Sequence, residues 1–198
     1  MLRIENLNFL DWEAVSLEVG AGEVVSIQGE SGSGKSLLLR AIADLIPHGG
    51  EAFLGGEACS EFSPTKWRGK VSFLSAEALW WEDEVRAHFL NDPELKVLQR
   101  LGLKEECLDW EVTRLSMGER QRLGLLRMLD REPSALLLDE PTANLDDRTS
   151  AAVEGMLLDY VRERAACCIW VTHDRAQAAR VGQRAYTMVS KQLRKVAG

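Results

Sequence analysis

The sequence predicts an α/β fold, with a mainly parallel core sheet, an antiparallel β part near the N-terminus and a helical subdomain over about residues 75–130, all in one domain spanning 1–198. Three observations predict it. Apolar runs at 135–138 and 167–172 alternate with helix-like stretches, the pattern of strands covered on both faces. Ahead of them, Leu2, Ile4, Leu7, Val15, Leu17 and Val19 are interleaved with polar residues, as in strands with one wet face. Between 75 and 114 strand signals stop, Pro93 and charged residues enter, and Leu95, Leu98 and Leu101 recur at helical spacing.

The elements follow in order. After the two N-terminal strands, Gly20-Ala21-Gly22 makes a turn. A nearly continuous β-branched run at 24–28 leads into a Gly/Ser loop. Leu38, Ile42, Leu45 and Ile46 then mark one face of a helix over 35–46, closed by Pro47 and Gly49-Gly50. Residues 51–54, the Gly55-Gly56 turn and Ala58-Cys59 read as a hairpin, and 71–74 as a further strand. Helices over 119–130 and 150–164 bracket the strand at 135–138, and the strand at 167–172 ends the regular pattern. No internal repeat or low-complexity tract interrupts it.

Composition narrows the functional class. The 198 residues carry a formal net charge of -7, which opposes general nucleic-acid binding, since that is driven by Lys and Arg releasing counterions. No apolar stretch approaches the roughly 20 residues that cross a bilayer, so any membrane role must come through a partner. Arg3, Glu5 and Asn6 interrupt the start where an export signal needs an apolar core, and a cytoplasmic location is expected. Cys59, Cys107, Cys167 and Cys168 show no metal-ligand spacing and read as reduced, structural thiols.

Two motifs carry chemistry. Gly29-Glu30-Ser31-Gly32-Ser33-Gly34-Lys35-Ser36 fits G-x-x-x-x-G-K-[ST] between a predicted strand and a predicted helix. Such glycines let successive N–H groups converge on phosphate oxygens, and the helix dipole favours an anion there. Lys35 is then placed to reach the outer phosphates of ATP or GTP, and Ser36 to ligate Mg²⁺. Asp139 and Glu140 follow directly on the apolar run at 135–138. Paired acids at a buried strand end need a counter-charge, which Mg²⁺ beside the phosphate loop supplies. Asp139 is the expected metal group, and Glu140 the group that polarises the attacking water.

Leu115-Ser116-Met117-Gly118-Glu119-Arg120-Gln121-Arg122 resembles the signature motif of ATP-binding cassette (ABC) ATPases, usually LSGGQ followed by a basic helix. Ser116-x-x-Glu119 is also a capping box that opens a helix with an anion-facing end. Met117 and Glu119 depart from the family's Gly and Gln. Pro141-Thr142-Ala143-Asn144-Leu145-Asp146 resembles the family's D-loop, with Asp146 at its acid, and His173 in Val171-Thr172-His173-Asp174 matches its switch histidine. His48 and His88 match nothing and are expected on the surface. The resemblance spans nearly the whole chain.

It implies a P-loop NTPase of ABC type that hydrolyses ATP with Mg²⁺. It further implies a second ATPase subunit, a homodimer being expected, with Ser116 and Gly118 of one copy facing the γ-phosphate held by the other. A separate integral membrane permease would hold the pair at the inner face of the cell membrane. Where the family has its Q-loop glutamine, this sequence has Ala76, followed by Glu77, a candidate substitute. Phe9 and Trp12 are candidates for the adenine-stacking aromatic. Trp80-Trp81 reads equally as part of the permease contact or as packing within the insertion. Two rivals to transport stay open on the sequence: a non-transport ABC ATPase and a regulatory nucleotide-binding module.

Overall fold

In the computed structural model, which describes residues 1–196, β1 (Leu2–Asn8) and β2 (Val15–Val19) pair antiparallel, Leu2 opposite Val19 and Ile4 opposite Leu17. Their buried and exposed residues alternate as the sequence pattern requires. β4 (Gly49–Leu54) and β5 (Glu57–Ala58) extend this sheet in the order β2-β1-β4-β5.

The core sheet is built from β3 (Val24–Gln28), β6 (Val71–Leu74), β7 (Ala135–Asp139), β8 (Cys167–Val171), β9 (Arg184–Val189) and β10 (Gln192–Lys195). Its order is β10-β9-β3-β8-β7-β6, parallel except for the β9–β10 hairpin. Alternate residues of β7 feed two different cores. Ala135 and Leu137 pack in one with α1 (Lys35–Ile42) and the antiparallel sheet, and Leu136 and Leu138 in the other with α4 (Met117–Leu129) and α5 (Asp147–Glu163). With layers on both faces, no residue of this strand reaches water, which is why it reads as an unbroken apolar run.

Several elements differ from the sequence expectation. α1 stops at Ile42 instead of reaching Ile46, because Asp44 turns left-handed (φ 55°) and the Leu45 N–H returns to the Arg40 carbonyl at 2.9 Å. That ending satisfies the last carbonyls and leaves Leu45 exposed. An unanticipated helix, α2 (Pro64–Lys70), begins on a proline and is anchored by fully buried Trp67, whose indole N–H donates to the Ile42 carbonyl at 3.0 Å. α6 (Arg175–Val181) and the β9–β10 hairpin were likewise not anticipated.

The segment from 75 to 116 is less helical than its leucine spacing implies. It holds α3 (Leu95–Arg100) and three short 3₁₀ turns. Gly102, at φ 67°, lies just past the end of α3. Of the three leucines at helical spacing, Leu98 and Leu101 face inward, with Leu103 and Leu108, in the core shared with α4 and α5, whereas Leu95 is exposed.

All four cysteines are free and buried, and burial pushes the Cys59 thiol up to about 11. His48 and His88, expected on the surface, are not there. His48 is half-buried. His88 is buried, and its Nε2 accepts N–H bonds from Trp81 (3.1 Å) and Glu82 (3.0 Å). The imidazole thus closes this turn, a role that a lone histidine in a sequence does not announce.

Candidate functional site

The C-terminal ends of β3, β8 and β7 lie side by side, since Ile27 and Asp139 both pair with Val171. Open parallel sheets form their ligand crevices at such ends. The Gly29–Ser36 loop leaves β3, Thr172-His173 leaves β8, and Asp139-Glu140 ends β7, so three sequence-distant motifs converge by topology alone.

Two glycines are required by their surroundings. A Cβ on Gly29 (φ 156°) would sit 2.6 Å from the Ser33 hydroxyl and 2.7 Å from the Met188 carbonyl. On Gly34 (φ 87°) it would meet the Trp12 ring at 2.3 Å. Gly34 also precedes α1 without any side-chain cap, so the first-turn amides face the loop. Of residues 31 to 34, only Ser33 has its N–H engaged by a carbonyl of the chain (Glu30, 3.1 Å), among the described hydrogen bonds.

Lys35 is buried, and its ammonium donates to the Gly29 and Glu30 carbonyls, both at 2.8 Å, and to the Ser33 hydroxyl at 3.4 Å. All three partners are neutral oxygens. A buried cation so paired lacks full compensation, which makes the loop a receptor for an anion. A cavity of about 710 Å³ opens over it, lined by Trp12, residues 28–33, His173, Arg175 and the β9–β10 turn. Trp12 is thus placed beside the phosphate loop, stacked on Phe9 with ring centroids 5.7 Å apart. Phe9 itself is buried in the core and drops out as an adenine-stacking candidate.

Asp139 is buried, and burial pushes its carboxyl above the usual carboxylate range, opposed by a hydrogen bond from Ser36. Ser36 and Asp139 therefore present two hard oxygens together. Glu140 is held at φ 49° while its N–H donates to the Val171 carbonyl at 3.0 Å. Its Oε2 lies 2.6 Å from His173 Nδ1. The sequence singled out these two residues separately, Glu140 by its place after a buried strand and His173 by the resemblance, and the structure places them in contact.

Ser116 and Glu119 form the expected capping box: the Ser116 hydroxyl accepts from the Glu119 N–H at 3.3 Å, and the Glu119 carboxylate accepts from the Ser116 N–H at 2.9 Å. The Ser116 hydroxyl's bond to Glu119 holds that carboxyl below its usual range. Gly118, in the first turn of α4, abuts Leu145. Asp146 caps α5 through the Thr149 N–H (3.0 Å) and hydroxyl (2.7 Å). Neither Ser116 nor Gly118 lines the cavity over the phosphate loop.

Ala76 and Glu77 are exposed on a loop, and a residue that sequence reasoning missed secures it. Buried Gln121, on α4, accepts from the Ala78 N–H (3.2 Å) and donates to the Ser75 carbonyl (3.4 Å). Also missed were Thr142, Glu154, Gln177 and Arg180, which form a hydrogen-bonded chain behind Glu140 with Glu154 and Gln177 buried at its centre. Nothing in the sequence pairs these residues, because their spacing follows no helical or strand period.

The two tryptophans differ in exposure. Trp80 is half-buried. Trp81 is 62% exposed, beside Leu79 at 73%. Both rings cover the Arg127 guanidinium, at 4.7 and 4.6 Å, and stand edge-on to His88. Burial lowers Arg127 to about 10, still charged at neutral pH.

The family model described as ABC transporter matches residues 12–143. The chain is 34% identical over 192 residues to the probable iron export ATP-binding protein FetA of Escherichia coli (strain K12), covering 88% of this chain and 85% of that one. It is 36% identical over 206 residues to the phosphonates import ATP-binding protein PhnC of Wolinella succinogenes, covering 88% and 74%. To the lipoprotein-releasing system ATP-binding protein LolD of Xanthomonas oryzae pv. oryzae it is 33% identical over 190 residues, covering 86% and 77%. The solved structure of a dimeric, post-hydrolysis ATP-binding cassette bound to ADP and Pi superposes with a TM-score of 0.82 at 24% identity, covering 100% of both chains.

Proposed function

The chain belongs to the ABC transporter family as an ATP-binding, ATP-hydrolysing subunit, and from that premise we propose that it works as a head-to-tail homodimer on a separate membrane permease. One observation carries the reading. In a single chain the Ser116–Gly118 helix end stands outside the cavity over the phosphate loop, which supports a reading in which a second copy brings it to the triphosphate. The dimeric state of the structural neighbour supports the same arrangement.

In each composite site the free amides of residues 31, 32 and 34 and the Lys35 ammonium grip the phosphates. Ser36 and Asp139 would hold Mg²⁺, which when bound neutralises charge on the β- and γ-phosphate oxygens. Their donor set suits that ion: Mg²⁺ at phosphates takes one or two protein oxygens, and the Ser36 hydroxyl and Asp139 carboxylate, in hydrogen-bond contact, supply two. Glu140 orients the attacking water and takes its proton, and His173 holds the Glu140 carboxylate and reaches toward the γ-phosphate. Asp146 rigidifies the start of α5 at the subunit junction. The Ser116 hydroxyl and the α4 N-terminus of the partner close the site.

No helix among the described residues is long and apolar enough to cross a membrane, so attachment at the inner membrane face would come through the permease. Relatives named for iron export, phosphonate import and lipoprotein release support placing cargo choice in that partner.

The decisive test is dimer formation. In a Glu140→Gln background, Mg-ATP should drive a stable dimer by size exclusion or sedimentation, and adding Ser116→Arg should abolish it while each monomer still binds ATP. Undiminished dimer in the Ser116→Arg chain would overturn the head-to-tail assignment. The tryptophans give a second expectation. Trp81→Ala should weaken assembly with the permease at least tenfold and leave basal ATP turnover within about twofold. Trp80→Ala, which removes packing around Arg127, should instead lower the melting temperature.

A further inference from the structure

We propose that Thr142 and Gln177 are positioning residues that clamp the loop carrying Glu140 to the helix that follows His173, so that the contact between those two groups is preset within one chain. The inference rests on the catalytic roles proposed above for Glu140 and His173.

Gln177, buried on α6, donates through Nε2 to the Thr142 hydroxyl at 2.7 Å and to Glu154 Oε1 at 2.8 Å. Glu154 lies on α5 and is itself buried. It is gripped from the other side by Arg180, whose Nε and Nη2 donate to its two oxygens, both at 2.7 Å. Burial works against the Glu154 carboxylate, but the Arg180 and Gln177 hydrogen bonds outweigh it and hold the group below its usual range. A buried, multiply bonded carboxylate of this kind fixes the Gln177 amide in one orientation.

The lever arms are short. Thr142 is two residues beyond Glu140, with buried Pro141 between them. His173 is two residues before α6, and Asp174 ties them by capping the Ala176 N–H (2.8 Å) while its own N–H donates to the Thr172 hydroxyl (3.1 Å). Glu140 and His173 thus sit at the ends of a bracket whose crosspiece is the Thr142–Gln177 bond. A cavity of about 510 Å³ is lined by Glu140, Thr142, Glu154, His173, Gln177 and Arg180, so adjacent space exists into which an unclamped loop could relax. Displacement of a catalytic group by about 1 Å can cost on the order of a hundredfold in rate.

The test uses the full-length chain. Thr142→Val, which keeps shape and removes the hydroxyl, should lower kcat for ATP about tenfold with KM within twofold. Gln177→Met should do the same. The double variant should lose no more than Gln177→Met alone, because that change already breaks the Thr142 bond along with the bond to Glu154, and Thr142→Ser should restore kcat. A melting temperature that falls while kcat holds would assign the chain a structural role only and overturn the inference, as would additive losses. Glu140→Gln, run alongside, separates the two levels: if it is inactive and Thr142→Val is normal, only the clamp fails, whereas an active Glu140→Gln removes the reading beneath it.

Discussion

Glu140→Gln should cut steady-state ATP turnover at least a hundredfold while leaving ATP affinity within a fewfold of the parent. The substitution preserves length and hydrogen-bonding shape and removes only the carboxylate charge. That carboxylate stands at a strand end, with its backbone fixed by the 3.0 Å bond to Val171 and its Oε2 fixed by His173 at 2.6 Å. A positioned general base contributes roughly 10²–10⁴ in rate, equivalent to about 3–5 kcal/mol of barrier. Binding should survive because the phosphate grip belongs to the loop amides and Lys35, which Glu140 does not contact in the described hydrogen bonds. Phosphate release and equilibrium binding of a fluorescent ATP analogue measure the two quantities separately. Turnover within threefold of the parent would end the assignment of Glu140 as base.

Much of this site was legible in the sequence because its parts obey local rules. The Gly29–Ser36 loop announces itself through glycines that steric contact with Trp12 and Met188 makes necessary, and β7 through a run of apolar residues buried on both faces. The Ser116–Glu119 capping box is likewise a four-residue statement. What escaped is what depends on tertiary partners. Gln121 reaches Ser75 and Ala78 more than 40 residues earlier, and the Gln177–Glu154–Arg180 chain joins two helices through side chains that look like ordinary solvated positions. His88 misled for the same reason, since its burial is set by Trp80 and Trp81 closing over it. The β9–β10 hairpin lacks a strong apolar period because most of its residues are half-buried. Its strand character comes from pairing with β3, not from its own pattern.

Lys35→Ala should remove both hydrolysis and the stabilisation that Mg-ATP confers on the folded chain. In the nucleotide-free site the ammonium is buried against carbonyls and a hydroxyl, an arrangement that compensates its charge only partly. Deleting it therefore costs the empty fold little, and the melting temperature without nucleotide should stay within a few degrees of the parent. With ligand the balance reverses. A ligand at 100 times its Kd stabilises a folded chain by about 2.7 kcal/mol, which for a domain of this size corresponds to a rise of roughly 5–10 °C. The parent should show that rise with Mg-ATP, and the Lys35→Ala chain should show almost none, because the phosphates lose the one side-chain cation that the loop itself offers. Turnover should fall at least a hundredfold in parallel. An equal thermal shift in the two chains would mean that the triphosphate is held elsewhere, and the phosphate loop would lose its place as the anion site.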